Sequence, residues 1–456
     1  MSGLFDNLTS ASRSLRAHQL GIEVAGENLA NLNTPGYSRK TLDLAEVPPT
    51  DYYRAGRGVD VVQIRSVRDE FIEARLRREG QGASRDNAVV DGLSAFEASI
   101  GPAGRSLDAK LNGLFDAFSS LASDVTSVPL RDQAVRSADD LAQAFRYYAG
   151  QVDVSRRDAD GTIRASVGEI NQLAQQVATL NKQIAAGAAA SQTLIDQRGV
   201  ALSRLSELAD IGVVTRPDGA VDVTIGHGRG LVVGETAYDL GIVNSSPGAW
   251  ATLTVAGSDV TSEITGGQIG GLLHVRDTLL PAYGASLDQL AYDVATAVNA
   301  AHGAGYDGTG APAGNLFVPP GAVAGAAAAF AVDPGVLADS QLVAGSSTGT
   351  AGDNGAARAL AALRDANITT GGTATAEEAW GQIVFRTGTD IAVARSSAQS
   401  RGQVVDQLQR LRDQASGVSL DEEAADLIRY QRAYQANARY FQTIVDTLDT
   451  LLQLGA

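Results

Sequence analysis

The chain has 456 residues, 44% of them hydrophobic, which predicts roughly three domains around sizeable cores. Its formal net charge of −16 argues against a nucleic-acid partner, because phosphate binding needs a basic surface. The absence of cysteine excludes disulfides, thiolate zinc sites and cysteine catalysis.

The first residues do not have the pattern of a cleavable secretory signal, because no basic region precedes an apolar run between Met1 and Leu15. The longest bland apolar stretch, 321–332, is well under the ~18 residues that suggest a membrane span. The sequence therefore predicts no membrane span. If the protein leaves the cell, it must use an export route other than this type of signal.

Residues 4–32 carry an apolar stripe at alternating spacings of four and three, which predicts a long helix with a partner helix. This N-terminal stripe consists of Leu4, Leu8, Ala11, Leu15, His18, Ile22, Ala25, Leu29 and Leu32. His18 is its polar member and is interpreted as a packing residue, with a role in pH-dependent assembly as a hypothesis. Pro35 ends the helix, and residues 34–37, Thr-Pro-Gly-Tyr, fit a type II turn.

The middle of the chain changes character twice. An extended segment over 38–66, with a strand near 59–64, is followed by helical patterns over 67–100, 106–124, 129–185 and 191–209. Short β-type runs occupy 213–214, 221–225, 231–233 and 251–255. Helices are predicted again over 277–301, 355–365 and 387–415, and the Gly- and Ala-rich residues 303–356 are predicted as mostly loop.

Residues 420–454 form a second long helical pattern with an apolar stripe, and Ser419 and Glu422 have capping-box spacing at its start. This C-terminal stripe consists of Leu420, Ala424, Leu427, Gln431, Tyr434, Ala438, Phe441, Val445, Leu448 and Leu452, of which Gln431 alone is polar. The apolar members of both stripes are the candidate subunit-interface residues.

The expected fold class is mainly α with a β-rich inserted domain, a multidomain α+β arrangement. Paired N- and C-terminal coiled-coil helices, an elongated helical bundle and an outer β domain make up this fold. The expected domains are 1–66 with 417–456 for polymerisation, 67–210 with 331–416 for the bundle, and 211–330 for the β-rich outer domain.

The stripe pattern alone is about equally compatible with two terminal helices that pair inside one compact protein and with helices that pair between copies. Leu20 and Val24 lie off the N-terminal stripe, which suggests a second neighbour. Isolated helices are marginal in water. We therefore expect both ends to be disordered or frayed in the free monomer, and neither stripe to be covered before other copies enclose it.

Two short motifs resemble those of a known family. Residues 29–37, Leu-Ala-Asn-Leu-Asn-Thr-Pro-Gly-Tyr, resemble the N-terminal signature of the bacterial flagellar rod, hook and hook-associated proteins. Residues 431–439 resemble their C-terminal signature. Residues 416–423, 58–61 with 68–71, and 270–277 with 299–306 are similar to the first hook-associated, or hook–filament junction, family within that group. The signature turn consists of Asn31, Thr34, Pro35, Gly36 and Tyr37.

The resemblance implies a structural subunit of the flagellum that joins hook to filament and is exported uncleaved by the flagellar type III apparatus. Implied partners are further copies in a ring or tube, the hook protein, a second junction protein, and an export chaperone at the C-terminal helix. Such a protein is extracellular. The chaperone is reasonable physically, since an uncovered apolar stripe is an aggregation hazard inside the cell.

No enzyme chemistry is expected, and no catalytic, metal-binding or cofactor residues are assigned. Residues 226–230, Gly-His-Gly-Arg-Gly, follow a strand but precede another strand, which favours a hairpin turn over a phosphate loop. The four histidines have no metal-ligand spacing. The alternatives are a hook or rod subunit and, from another class, an intracellular coiled-coil binding protein. An enzyme ranks below both.

Overall fold

The structure is a computed structural model that describes residues 2–48, 57–100, 106–187, 191–244, 246, 248–369 and 371–454. The helices are α1 (Ser2–Ala30), α2 (Glu70–Ile100), α3 (Leu107–Ser123), α4 (Val128–Ala185), α5 (Ser191–Leu208), α6 (Gly267–His274), α7 (Leu280–Gly303), α8 (Pro334–Ala338), α9 (Gly355–Ala362), α10 (Ala376–Ser416) and α11 (Leu420–Leu454). The strands are β1 (Lys40–Glu46), β2 (Val59–Ser66), β3 (Ile211–Thr215), β4 (Val221–Ile225), β5 (Arg229–Val233), β6 (Thr236–Ala237), β7 (Leu240–Val243), β8 (Thr252–Val255) and β9 (Ser258–Asp259).

The two ends of the chain lie side by side. Helix α1 packs against α11, and also against a two-stranded antiparallel ribbon of β1 and β2. The fold class predicted from sequence, mainly α with paired terminal helices and a β-rich insertion, is confirmed.

A first apolar core lies among the central helices. It joins the second half of α2, α3, the first half of α4, α7, α9 and the start of α10. Helix α3 shows why: Leu107, Leu111, Leu114, Phe118 and Leu121 recur at helical spacing, and all five are buried. Long helices with one continuous apolar face each can therefore enclose a common interior.

A second apolar core lies under two small sheets. The sheet β3-β4-β5-β6 and the sheet β7-β8-β9 are antiparallel, and they share this core with the second half of α4, with α5 and with α6. In β4 the alternate residues Val221, Val223 and Ile225 are buried, as expected for a strand with one face on a core.

Several predicted boundaries differ from the structure. Helix α10 begins at Ala376, eleven residues before the predicted 387, because Thr375 and Glu378 form a reciprocal capping box. The Thr375 side chain accepts the Glu378 N–H, and the Glu378 carboxylate accepts the Thr375 N–H. The predicted helix at 277–301 is α7, preceded by a π-helical turn over Val275–Leu279.

The segment predicted as an outer β-rich domain, 211–330, is shared between the two cores. Its strands end at Asp259, whereas α7 and residues such as Phe317 and Phe330 belong to the first core. Helix α7 joins that core because Tyr283, Leu287 and Val294 line one face of it. The division into three domains stays a prediction.

One buried histidine ties the loop segment after α7 together. His302 Nδ1 lies 2.8 Å from the Gly314 carbonyl oxygen and therefore donates to it, while its Nε2 accepts the Ala344 N–H at 2.9 Å. Burial lowers the pKa of His302, and nearby Arg131 lowers it further, although Asp307 and the bond to Gly314 oppose them. Protonation would remove the acceptor for Ala344 and place a charge in the interior.

We expect His302 to make the fold sensitive to acid. Since its folded-state pKa lies below the unfolded value of about 6.5, its stabilisation is present above that pH and is lost as the pH falls through it. The measurement is the free energy of unfolding by denaturant at pH 7.5 and pH 5.5.

The variant His302→Gln should be less stable than the parent at pH 7.5 by about 1–3 kcal/mol, the cost of a disturbed buried polar group. It should also lose less stability between the two pH values. His227→Gln, in the turn between β4 and β5, serves as the control and should keep the parent's pH dependence. Equal pH dependence in parent and His302→Gln would contradict the assignment.

Candidate functional site

The terminal helices form an antiparallel pair, called the terminal pair below. The Asn28 side chain reaches the Glu423 carboxylate at 3.0 Å, while Gly21, two turns earlier in α1, lies against Tyr430, two turns later in α11. The chains of the two helices therefore run in opposite directions. The described end of α11 lies near the start of α1.

Small residues let the two helices approach closely. A Cβ atom on Gly21 would lie 2.7 Å from the Tyr430 ring, which is closer than real side chains come. Ala17 and Ala25, on neighbouring turns, are also buried. The His18 ring lies 6.3 Å from the Tyr430 ring, tilted toward it, and burial lowers its pKa. A possible role of His18 in pH-dependent assembly stays a hypothesis.

The covered face of α1 is rotated from the N-terminal stripe. Its centre is Ala17, Gly21, Val24 and Asn28, which are all buried. Of the stripe itself, Ala11 and Ala25 are buried, Leu4, Leu8, Leu15, His18 and Ile22 are half-buried, and Leu29 and Leu32 are exposed. Two of the nine stripe residues are therefore exposed and five are only partly covered.

The C-terminal stripe is divided in the same way. The buried residues of α11 are Glu423 and Ile444, neither of which belongs to the stripe. Ala424, Leu427, Ala438, Phe441, Val445 and Leu448 are half-buried, and Leu420, Gln431, Tyr434 and Leu452 are exposed. Ile428 and Tyr440, beside the stripe, are exposed as well.

The expectation that neither stripe is covered within one chain is wrong. The apolar surface of each terminal helix is wider than one stripe, so α1 and α11 cover one side of each other and the ribbon covers another side of α1. A contact on the ribbon side joins Ser10 and Gly58. What the chain leaves uncovered is the outer part of each stripe.

The signature turn has the conformation expected from its sequence. Thr34 N–H donates to the Asn31 carbonyl at 2.9 Å, and Tyr37 N–H donates to the Thr34 carbonyl at 3.2 Å. Gly36 has a φ of +78°, as the third position of a type II turn requires. A Cβ atom there would lie 2.4 Å from Val200 of α5, so glycine also permits this turn to pack on the helical body.

A polar cluster of Asn28, Tyr37, Arg39, Lys40 and Glu423, called the Asn28 cluster below, joins the turn to both terminal helices. The Asn28 side-chain oxygen accepts the Tyr37 hydroxyl at 2.8 Å and the Lys40 N–H at 2.9 Å. Its amide nitrogen donates to the Lys40 carbonyl at 2.9 Å and to Glu423. The Arg39 guanidinium pairs with Glu423 at 2.7 Å. Each polar atom of the Asn28 amide therefore has two partners.

The Asn28 cluster is also tied to α5 of the helical body. The Lys40 ammonium pairs with Glu27 and donates to the Thr193 hydroxyl at 2.8 Å. Asp196 accepts from Ser38 N–H at 3.4 Å, and Arg68 lies 3.5 Å from its other oxygen. Burial raises the pKa of Asp196, and burial together with nearby Glu27 and Asp196 raises that of Tyr37. These contacts fix where the terminal pair leaves the body.

The sequence patterns did not identify Asn28 and Glu423 as members of a polar cluster. The usable signal was their position, since both lie at helical spacing from apolar residues and in the half of each helix nearest the signature turn. Residues 226–228 form the turn of a hairpin between antiparallel β4 and β5, and residues 229–230 begin β5, so the predicted hairpin is confirmed.

Metal binding and membrane insertion are two other functions that side-chain clusters and helix hydrophobicity can indicate. Within the part of the chain that the structure describes, no group of three or more His, Asp or Glu side chains could hold a metal ion. None of the described helices is long and apolar enough to cross a membrane.

Comparison with known proteins gives consistent similarities. Residues 93–317 match the family described as "Flagellar hook-associated protein FlgK helical domain". Residues 412–454 match the family described as "Flagellar basal body rod FlgEFG protein C-terminal". The second match covers the end of α10 and the whole of α11.

Similarity to curated relatives extends over the whole chain. Flagellar hook-associated protein 1 of Escherichia coli K12 is 27% identical over 550 aligned residues, covering 100% of both chains. The protein of the same name from Bacillus subtilis 168 is 25% identical and covers 99% of this chain and 98% of its own. The solved flagellar hook junction protein FlgK from Burkholderia pseudomallei has a TM-score of 0.68 at 18% identity, covering 75% of this chain and 100% of its own, which shows a shared fold.

Gly21→Ala should weaken the terminal pair by about 1–3 kcal/mol, since the added methyl group overpacks the contact with Tyr430. Gly26→Ala, on the same helix with nothing within 4 Å of the added atom, should stabilise α1 by up to about 1 kcal/mol through helix propensity. Hydrogen exchange of α11 amides measures both effects. The same effect from both substitutions would show that Gly21 is not at a close contact.

Proposed function

Because the chain belongs to the flagellar hook-associated protein 1 family, we propose that it is a structural subunit of the bacterial flagellum that joins the hook to the filament. The observation that carries the proposal is the similarity to two proteins of that name over essentially their whole lengths, from bacteria as distant as Escherichia coli and Bacillus subtilis. The protein acts in this role by binding other subunits and not by catalysis. Its place is outside the cell, at the boundary of hook and filament.

The uncovered parts of the two stripes are the surfaces proposed for contacts between subunits. Leu29, Leu420 and Leu452 are exposed apolar side chains on the terminal helices, and Leu32 is exposed in the turn after α1. The half-buried Leu15 and Ile22 extend the surface along α1. Exposed apolar surface of this extent is typical of a protein-interaction site. Neighbouring copies in a ring or tube would cover it, with the hook protein on one side and a second junction protein on the other.

Before assembly the same surface needs protection. We propose that an export chaperone binds α11, where Leu420, Ile428, Tyr434 and Leu452 are exposed. An amphipathic helix whose apolar residues follow a heptad pattern fits a groove between partner helices. Export through the flagellar type III apparatus, with the N-terminus uncleaved, completes this proposal.

A hook or rod subunit is the alternative within the same class. The match of residues 412–454 to a family named after basal body rod proteins is compatible with it. The match of residues 93–317 to the hook-associated helical domain favours the junction role, because this longer segment contains most of both apolar cores.

Charged substitutions in the uncovered stripe should prevent assembly without unfolding the subunit. Leu29 and Leu420 are 39% and 54% exposed, so Leu29→Asp with Leu420→Asp leaves the described cores intact. A strain that carries this variant should make hooks but lose its filament protein to the medium, as a strain without the protein would. The readout is filament protein in the culture supernatant, together with hooks counted by electron microscopy.

The matched control is Val214→Asp on β3, which is 63% exposed and far from either stripe in sequence. It should leave filaments attached. Normal filaments with Leu29→Asp and Leu420→Asp would reject the proposed interface. Attached filaments in a strain that lacks the chain would reject the junction role itself.

The terminal pair should open more readily than the helical body in the free subunit. Its interface is partly polar and most described residues of α11 are exposed, whereas α4 has buried residues from Arg131 to Ile184. Amide hydrogen exchange should therefore be faster in α1 and α11 than in α4 for the dilute monomer, and slow in assembled flagella. Equal protection of all three helices in the monomer would show that the pair does not depend on neighbours.

A further inference from the structure

The terminal pair contains a feature that stability alone does not explain. Asn28 and Glu423 are only 1% and 3% exposed, at the end of the terminal pair nearest the signature turn, where small and apolar residues of α1 continue the interface. Burying such groups requires that all their hydrogen bonds be satisfied. Buried ionic and polar groups of this kind contribute little net stability compared with a well-packed apolar pair, and their best-supported role is to select one arrangement of helices.

More than one register is available to the helices of the terminal pair. The facing positions recur every seven residues, as Gly21 and Asn28 do in α1 and Glu423 and Tyr430 in α11, so a shift by one repeat keeps the same faces of the two helices together. The repeat itself therefore discriminates poorly between the observed arrangement and its shifted forms. A feature that occurs once in each helix is needed to choose between them.

Asn28 and Glu423 provide such a feature. A shift by one repeat in one direction brings Glu423 opposite Gly21, where the carboxylate loses Asn28. A shift in the other direction brings Asn28 opposite Tyr430 and carries Glu423 past the end of α1. Either shift also separates Gly21 from Tyr430, whose ring then faces a residue with a side chain. A buried polar group left without its partner is strongly unfavourable.

The cluster fixes more than the two helices. The Asn28 side chain bonds both the N–H and the carbonyl of Lys40, so it holds the backbone of β1 as well as α11. Lys40 in turn contacts Thr193 of α5. Arg39, the residue before β1, pairs with Glu423 and also with Glu422 at 2.9 Å. The position of α11 along α1 is thereby tied to the helical body.

We propose that the pairing of Asn28 with Glu423, supported by Tyr37 and Arg39, sets the register of the terminal pair and its position on the body. These four are positioning residues. Register decides which turn of α11 lies beside each turn of α1, and so which apolar side chains the pair presents outward. That consequence for assembly rests on the proposed function, whereas the register itself belongs to the isolated subunit.

The absence of native cysteine allows a direct test by disulfide formation. Ser14 and Asn437 lie one heptad beyond the contact of Gly21 with Tyr430, so a Ser14→Cys, Asn437→Cys pair reports the observed register. An Asn7→Cys, Asn437→Cys pair reports a shift by one repeat. Both pairs are oxidised in the purified, full-length monomer, and the closed fraction is measured by gel mobility.

With the native cluster, only the Ser14–Asn437 pair should close. With Asn28→Leu and Glu423→Leu, the Asn7–Asn437 disulfide should rise by roughly tenfold or more, as expected when a satisfied buried polar pair no longer penalises the shift. Glu423→Gln keeps an oxygen that accepts from Asn28 and should keep the observed register. The control is Gln19→Leu with Glu23→Leu, which removes an exposed hydrogen-bonded pair from α1 and should leave the pattern unchanged.

If the double leucine variant shows only the observed register, the proposal is wrong. A shifted register in the Gln19 and Glu23 control would also overturn it. If the double variant does not fold, the single variant Glu423→Leu is used with the same criteria. A shifted register accompanied by normal filaments would leave the register assignment standing and reject its link to assembly. Failure of the Leu29 and Leu420 test with the predicted disulfide pattern would reject only the proposed interface.

Discussion

The contact between one helix from each end of the chain is the constraint on which the rest of the molecule depends. Bringing residue 28 to residue 423 closes a loop that contains almost the whole protein, and such closure carries a conformational entropy cost that local contacts do not. The helical body reduces this cost, because once its cores form, both ends emerge near α5. The terminal pair can therefore be weak on its own and still have a defined place.

The helical body and the terminal pair differ in the size of the side chains that they bury. In the body, large side chains such as those of Phe118, Phe145, Tyr148 and Tyr283 are almost completely buried. The terminal pair meets through Ala17, Gly21 and Ala25, which bury little area but allow the helix axes to come close. A small interface, specified by polar contacts, suits helices that must also offer apolar surface to neighbours.

Sequence periodicity identified the elements whose apolar residues face one partner, such as α3, α4 and α5, to within a few residues of their ends. It could not orient α1 and α11, because their apolar surface is wider than one stripe and several faces satisfy the same spacing. The partner that covers each face depends on contacts hundreds of residues away, which no local pattern encodes. The early start of α10 is a different case, since the capping box of Thr375 and Glu378 was readable from sequence. The strands β6 and β9, of two residues each, are too short to carry a pattern.

On the proposed function, the Asn28 cluster suits both the chain before folding and the folded subunit. In an extended chain Asn28, Arg39 and Glu423 are solvated and carry no penalty, and they reduce the apolar character of segments that would otherwise associate without specificity. In the folded subunit the same groups are satisfied by one another and by the backbone of Lys40. In the proposed role, polar residues at this position oppose wrong pairing before folding and select a single pairing after it, while the uncovered parts of the apolar stripes stay available to other subunits.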